Sequence, residues 1–263
     1  MHPFEDLVVP AQSLGIHWFG QNSFGLKDAA GTIVQVDPYY PHERPADTFL
    51  HPRPPLLEAA LRTDFVLLTH HHGDHTCLES LGRIRAAYPQ VRCIGPAESI
   101  QALQQAGFPA AGLTTIAAGQ RVSLGSMAAH ALWSKPPGGL PQDSIAAPDV
   151  QHLGYVVEAG GVRAYISGDL VNTVAEHEFL LKPVRDLAPD IGMITLHPTE
   201  GEFPTFAGAA KMAASLGLKT AVPAHYSCFT SRNYDPHAWA AHLPASGPAL
   251  LVIPYNQAIV YPL

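Results

Sequence analysis

The stretch "FVLLTHHHGDHT" constrains this chain more than any other, because it places four histidines and an aspartate directly behind a short apolar run. The apolar run, residues 64–69, predicts a buried strand, and the polar residues form the loop that leaves it before a helix. The first two ligand-type histidines alternate along an extended segment and can face one position, while a turn at Gly73 takes the next two residues to another. The residues in this H-x-H-x-D-H spacing are His70, His72, Asp74 and His75.

The chemistry of this loop matches a metal site. Imidazole nitrogen and carboxylate oxygen are ligands that zinc and similar transition metals accept. A pair of ions held about 3.5–4 Å apart needs a ligand set divided in this way. We therefore predict two divalent transition-metal ions, with zinc or manganese expected. A solvated histidine cluster or the remnant of a tag is the alternative, but a tag would be terminal and would lack the aspartate.

Apolar periodicity predicts a layered α/β fold. Short alternating or continuous apolar runs indicate strands, and apolar residues spaced by three and four indicate helices. The predicted strands are 15–20, 22–27, 32–40, 64–69, 91–95, several short ones within 113–133, a hairpin over 153–169, 190–196 and 219–225. The predicted helices are 56–62, 77–88, 96–107, 174–187 and 207–216. Two halves, each with strands followed by helices, favour sheets on the inside and helices on the outside.

Composition sets the class of protein. The 263 residues are 47% hydrophobic and 14% charged, which is typical of a compact globular chain. No segment is long or biased enough to be a confident linker, so we expect a single domain over 1–263. The net charge of −7, without a basic run, argues against a nucleic-acid partner. No apolar run reaches the ~18 residues needed to span a bilayer, so no membrane association is expected.

Cysteine usage and the amino-terminal segment predict the compartment. The three cysteines are widely spaced and form no C-x-x-C pair, as expected in a reducing cytosol. The amino-terminal segment lacks the basic and then apolar regions of a secretory signal. We expect a cytoplasmic protein that acts on a small-molecule substrate. The sequence leaves open whether the chain forms a homo-oligomer.

Residues 69–75 read T-H-x-H-x-D-H, and this motif resembles the signature of the metallo-β-lactamase superfamily. The likeness extends over nearly the whole chain. "HWFGQNSFGLK" and "TIVQVDPYY" resemble the opening strands of that family, "LGYVVEAGGVRAYISGD" resembles its hairpin, and "AVPAHYSCF" resembles its last motif. The segments "GQNSF", "VDPYY" and "PAHYSCF" are most similar to the branch that includes ascorbate-6-phosphate lactonase.

The resemblance implies a four-layer αββα sandwich and further site residues. Asp169 would bridge the two metal ions, and His225 would be a ligand. Asp37 corresponds to the aspartate of the first motif, and we interpret it as orienting the His70 loop rather than as a ligand. The alternatives are that Asp169 caps the following helix and that His225 is an ordinary core histidine.

One further histidine ligand is implied, and two candidates remain. If the turn of the predicted hairpin is centred on Gly160 and Gly161, paired positions sum to about 321, which places His152 opposite Asp169 within about 5.5 Å. This geometry favours His152. His130 would need its own strand to end at the site, and a site without a third histidine is the remaining alternative.

The resemblance implies a hydrolase in which a metal-bound hydroxide attacks the substrate. Asp74 would hold the hydroxide and accept its proton, and Asp169 would fix the spacing of the ions, so both are predicted to be catalytic. The expected substrate is a small ester or lactone, phosphorylated or not. A phosphodiesterase and a non-catalytic metal-binding protein are the alternatives. Four more residues follow strand-like runs near the predicted cleft, with structural roles favoured: Gln21, His197, Glu200 and Tyr226.

Overall fold

The computed structural model describes residues 2–143, 145–199 and 201–262, and within them two seven-stranded sheets pack against each other. The strands are β1 (Leu14–Trp18), β2 (Phe24–Lys27), β3 (Ile33–Val36), β4 (Phe65–Leu67), β5 (Arg92–Gly95), β6 (Leu113–Thr115), β7 (Arg121–Leu124), β8 (Met127–Trp133), β9 (Leu153–Ala159), β10 (Val162–Ile166), β11 (Ile191–Thr195), β12 (Thr220–Ala224), β13 (Ala249–Leu250) and β14 (Gln257–Tyr261). The α-helices are α1 (Pro3–Asp6), α2 (Leu78–Ala87), α3 (Ala97–Gln105), α4 (Glu178–Asp186) and α5 (Phe206–Ser215).

Both sheets contain antiparallel and parallel strands. In the first sheet the order is β14-β1-β2-β3-β4-β5-β6, with parallel pairing from β3 to β6. In the second sheet the order is β13-β12-β11-β10-β9-β8-β7, with parallel pairing from β10 to β13. Parallel strands end at the same edge of a sheet, and ligand sites of α/β proteins form in the loops that follow those ends. The loops after β4, β10 and β12 are therefore placed to build a site.

The layers follow from where the apolar side chains are buried. One large cluster joins the facing sides of the two sheets and includes Val34 of β3 and Tyr155 of β9. A second cluster lies between the first sheet and its helices, and includes Val66 of β4 and Leu81 of α2. Helices α4 and α5 cover the second sheet, where Leu180 is buried in the large cluster. Burial on both faces explains the continuous apolar runs of the central strands. The predicted four-layer αββα sandwich is confirmed.

The hairpin of β9 and β10 has the predicted register. Ala159 pairs with Val162 across the turn, and the antiparallel pairing continues to Ile166. Gly160 and Gly161 have φ angles of 58° and 88°, and a two-residue hairpin turn of this kind requires positive φ at both positions. The register brings the residue before β9 and the residues after β10 to the same end of the hairpin.

The predicted helix over 56–62 was wrong. Only Glu58–Ala60 forms a short 3-10 turn. A segment of this length is too short to hold a helix by propensity alone. Its position is fixed instead by the buried carboxylate of Glu58, whose oxygen lies 2.8 Å from the guanidinium of Arg83 on α2.

The predicted helix over 174–187 is divided. Val174–Glu176 forms a 3-10 turn, and α4 begins only after His177, whose φ and ψ of −114° and 89° are not helical. The His177 ring forms a hydrogen bond with the hydroxyl of Thr173 at 2.9 Å, which stabilises the break between the two helical segments.

Strands β13 and β14 were not predicted. Among the described residues, no helix is both long enough and apolar enough to cross a bilayer.

Candidate metal centre

The histidine-rich loop after β4 folds into a tight turn. The amides of His75 and Thr76 both donate to the carbonyl oxygen of His72, at 3.0 and 2.7 Å. The hydroxyl of Thr76 donates to the carbonyl oxygen of His70 at 2.7 Å. These bonds reverse the chain at Gly73, so the rings of His70 and His75, at the two ends of the motif, lie with their centroids 3.9 Å apart.

Three histidines form the first ligand group. Possible ligand atoms of His70, His72 and His152 all lie within 4.8 Å of one another. Nε2 of His70 is 3.1 Å from Nδ1 of His72, and the rings of His70 and His152 stack with centroids 4.1 Å apart. His152 reaches this position because it directly precedes β9.

Asp149 fixes the ring of His72, a contact that was not predicted from the sequence. An oxygen of Asp149 accepts a hydrogen bond from Nε2 of His72 at 3.0 Å. This bond leaves Nδ1 of His72 directed at the first group. A carboxylate on the outer nitrogen of a ligating imidazole is a common way to fix its tautomer and orientation.

A second ligand group consists of Asp74, His75 and His225, again with possible ligand atoms within 4.8 Å of one another. Nε2 of His75 and Nε2 of His225 each lie 3.8 Å from Oδ2 of Asp74. His225 follows β12 with a φ of 67°, and its amide donates to the carbonyl oxygen of Gln21 at 3.0 Å. This contact ties the end of β12 to the loop after β1, so the second group is assembled from both sheets.

Asp169 lies between the two groups. Its Oδ2 is 3.6 Å from Nε2 of His70, and its Oδ1 is 3.4 Å from Nε2 of both His75 and His225. The preceding Gly168 has a φ of 58°, and a Cβ there would lie 2.6 Å from the carbonyl oxygen of Leu153. Only glycine fits this turn, which directs the carboxylate into the centre.

Asp37 holds the outer side of the loop. Its Oδ1 accepts the amide of Thr69 at 2.8 Å, and its Oδ2 accepts Nδ1 of His75 at 2.7 Å and the side-chain amide of Asn22 at 2.8 Å. The bond to Nδ1 leaves Nε2 of His75 facing Asp169. This geometry agrees with an orienting role and places Asp37 outside both ligand groups.

The electrostatics of the centre suit a cation. Burial alone would lower the pKa of His75, but Asp169, Asp74 and Asp37 outweigh it and raise this pKa to about 10. Burial would raise the pKa of Asp169, but the surrounding histidines lower it to about 2. At His75 the attraction of the carboxylates for positive charge is larger than the cost of burying that charge. The centre therefore favours a cation.

Neutral histidine rings and buried polar atoms without hydrogen-bond partners give a second test of whether metal ions fit the site. Burial lowers the pKa of His152 to about 3 and also lowers that of His225, so both rings are neutral and can act as ligands. Both ring nitrogens of His152, Nε2 of His75 and Oδ1 of Asp169 are buried without a hydrogen-bond partner among the described residues. Buried polar atoms are normally bonded, so these atoms are suited to ligating a metal ion.

The other histidine candidate lies elsewhere. His130 is on β8, where it pairs with Arg121 of β7, and its Nε2 is 3.4 Å from an oxygen of Glu158. It belongs to none of the ligand groups found in the described residues. The regular β9–β10 register brings His152, rather than His130, beside His70 and His72, and its role as a ligand stays a prediction.

Gln21 is a site residue for which sequence reasoning favoured a structural role. Its side-chain nitrogen donates to Oδ2 of Asp74 at 2.7 Å and lies 2.8 Å from Nε2 of His225.

Tyr226 packs against Trp18, with ring centroids 4.5 Å apart. The ring of His197 lies against that of Tyr234, with centroids 5.6 Å apart. Glu200 lies outside the described residues.

The second ligand group opens into a cleft of ≈ 740 Å³. Asp74 is the most exposed member of that group, at 22%, whereas His75 and His225 are fully buried. His72 and Asp169 also line the cleft, and other parts of its wall are aromatic or charged: Tyr39, Glu202, Phe229 and Arg232. A ligand in the cleft can therefore contact Asp74, Asp169 and His72 of the first ligand group.

We expect His152→Ala to weaken metal binding at least tenfold and His130→Ala to leave it unchanged, because only His152 lies in a ligand group. Metal affinity is measured by competition with a chromophoric chelator, with thermal melting as the check on folding. Weaker binding in the His130 variant alone would show that His152 was the wrong choice.

Comparisons with known proteins agree with this geometry. A family model described as "Beta-lactamase superfamily domain" matches residues 33–226. A metal-dependent hydrolase of Pyrobaculum calidifontis is 26% identical over 237 residues, which cover 88% of this chain and 92% of the relative. Igni18, a metallo hydrolase from Ignicoccus hospitalis, has a similar structure, with a TM-score of 0.71 and 18% identity over 95% of this chain and 99% of that chain. The metallo-beta-lactamase fold protein YhfI from Bacillus subtilis gives a TM-score of 0.66 and 11% identity over 94% and 99% of the two chains.

Proposed function

The chain belongs to the β-lactamase superfamily, and from that premise we propose that it is a metal-dependent hydrolase of small carboxylic esters or lactones. The observation that carries the proposal is the position of Asp169, whose two oxygens face different histidines of the two ligand groups. A carboxylate in this position suits a pair of ions that share one ligand. Relatives named metal-dependent hydrolases support the same reaction class.

The donor set suits two divalent ions, with zinc or manganese expected. His70, His72 and His152 would hold one ion, Asp74, His75 and His225 the other, and Asp169 both. When bound, such ions lower the pKa of a water molecule towards neutrality and polarise the carbonyl group of a substrate.

The residues of the chain have separate tasks in this proposal. The histidines fix the centre, because Asp37 holds the ring of His75 and Asp149 holds the ring of His72. Asp74 faces the cleft and is placed to accept the proton of the attacking water. Gln21 donates to Oδ2 of Asp74, which keeps that oxygen directed at the centre.

The choice of ester or lactone rests on the sequence resemblance to the ascorbate-6-phosphate lactonase branch. The cleft has the size of a site for a small molecule. The net charge of −7 argues against a nucleic-acid substrate, whose phosphates favour a basic surface. The proposed partner is therefore a small-molecule substrate rather than nucleic acid.

The test is a substrate panel run after reconstitution with Zn²⁺ or Mn²⁺. We expect turnover of lactones and small esters, loss of turnover with a chelator, and recovery when metal is restored. Bis-p-nitrophenyl phosphate is included, since the same centre could cleave a phosphodiester. A large preference for the phosphodiester would overturn the proposed substrate class, and full activity of the metal-free protein would overturn the reaction class as well.

A further inference from the structure

A second cavity opens beside the metal centre. It has a volume of ≈ 400 Å³ and shares His72 and Glu202 with the cleft described above. We call this cavity the side pocket. Since the two cavities share these residues, a substrate whose ester group lies at the metal centre can extend into the side pocket. Part of the wall is apolar: Pro136, Ile145, Ala146, Pro148 and Val171.

Most polar side chains on the wall of the side pocket already have partners. Asp149 accepts a hydrogen bond from a histidine of the metal centre at 3.0 Å. The side-chain amide of Asn172 donates to a backbone oxygen at 2.6 Å. Glu202 accepts from the guanidinium of Arg232 at 3.0 Å. These three side chains therefore already use polar atoms in hydrogen bonds within the protein.

Lys135 differs from the other polar side chains of the side pocket. Its side chain is only 16% exposed, and its Nζ lies 3.7 Å from Oε1 of Glu202, too far for a hydrogen bond. Among the described residues, no hydrogen bond from this ammonium group is found. An ammonium group has three donors, and no acceptor among the described residues uses those of Lys135, so they are available to an anionic group in the side pocket.

Lys135 also lies beside the first ligand group. It lines the side pocket together with His72, and the amide of the preceding Ser134 donates to the carbonyl oxygen of His152 at 3.0 Å. The ammonium group therefore lies close enough to the first ligand group for one small molecule to touch both. Lys135 is the second residue after β8, so its backbone lies close to the second sheet.

We propose that the side pocket binds a carboxylate-bearing arm of the substrate, with the carboxylate paired to Lys135 and the hydrocarbon chain against the apolar wall. This inference rests on the proposed ester or lactone hydrolase function and names its substrate class. The carboxylate accepts hydrogen bonds from the ammonium group of Lys135, and a chain of a few carbons packs against the apolar wall. Such a substrate is a monoester of a short dicarboxylic acid, or a lactone of a short hydroxydicarboxylic acid that keeps one free carboxylate.

A carboxylate fits this pocket better than a phosphate. Phosphate sites usually combine several donors, such as a helix N-terminus or an arginine fork. The side pocket offers one ammonium group with unused donors, and two acidic residues, Asp149 and Glu202, lie on the same wall. These acidic residues repel a carboxylate, which has one negative charge, less than a phosphate, which has nearly two.

The test compares three p-nitrophenyl esters of equal chain length with the metal-loaded protein. One is the hexanoate, one is the monoester of adipic acid, and one carries a terminal phosphate. We expect the adipate ester to have the highest kcat/KM. In Lys135→Met, its advantage over the hexanoate should fall by roughly tenfold or more, mainly through KM. Lys135→Arg should keep part of the preference, and Lys182→Met, a charge loss on the exposed face of α4, should change nothing.

The outcomes separate this inference from the proposed function. If all three esters are cleaved without preference, or if Lys135→Met lowers kcat/KM for all of them equally, the side-pocket assignment fails and the hydrolase proposal stands. A preference for the phosphate ester that depends on Lys135 would overturn the carboxylate. If none of the esters is cleaved by the metal-loaded protein, both proposals fail. As a second check, Ala146→Trp should fill the exposed rim of the side pocket and reduce the adipate preference.

Discussion

Asp169→Ala is expected to reduce kcat/KM by at least roughly a thousandfold and to lower the amount of metal that the protein retains. The carboxylate of Asp169 lies within 3.6 Å of histidines from both ligand groups. Its pKa, lowered to about 2 by the histidines, keeps it ionised at all physiological pH values. Removing one charge-stabilising group from an active site typically costs about 10²–10³-fold, and this change also removes a ligand.

The measurement combines elemental analysis after reconstitution with initial rates on the best substrate of the panel. Asp186→Ala is the matched control, because Asp186 is 59% exposed on α4 and pairs only with Lys182 among the described residues. Thermal melting of both variants shows whether a loss of metal reflects a loss of fold. Full metal content together with wild-type turnover in Asp169→Ala would show that this carboxylate does not link the two groups.

The parts of the fold that depend on local pattern were predictable from the sequence. The turn at Gly160 and Gly161 fixed the register of β9 and β10, and that register carried His152 to the site. The edge strand β14 was not predictable in this way, because it pairs with β1 from the opposite end of the chain. Nothing local in 257–261 specifies which strand it joins.

The same distinction holds for the candidate site. His70, His72, Asp74 and His75 share one loop, so their spacing was visible in the sequence. Gln21 is 53 residues from Asp74 and 204 residues from His225. Its contact with Asp74 depends on the order of strands in the first sheet, and its contact with His225 depends on the packing of the two sheets. Its φ of 54° is rare for a residue other than glycine, but backbone angles cannot be read from sequence.

The bond between Asp149 and His72 could not be predicted for the same reason. Asp149 is 77 residues from His72 and lies on an irregular segment without periodicity. Asp149 and Lys135 both lie in the segment between β8 and β9. Neither residue belongs to the motif that first indicated metal binding. Sequence reasoning identified the ligand-type residues, whereas the residues that orient them and bound the cavity required the structure.

Asp74→Asn is expected to lower kcat by about 10²–10⁴-fold while changing KM much less. Asparagine has nearly the same shape as aspartate, and its side-chain oxygen can still accept the hydrogen bond from Gln21 that now reaches Oδ2. It cannot accept a proton from an attacking water, and positioned proton acceptors typically contribute rate factors of this size. A loss confined to kcat is the pattern of an interaction made only in the transition state.

Because Asp74 also belongs to the second ligand group, rates are measured at metal concentrations that restore full occupancy, which elemental analysis checks. Asp186→Asn applies the same change to an exposed carboxylate and should have no effect. If added metal restores wild-type kcat to Asp74→Asn, the carboxylate serves only to hold the ion. If kcat stays low at full occupancy, Asp74 moves the proton, and the 22% exposure that sets it apart from His75 and His225 is explained by the need to reach water in the cleft.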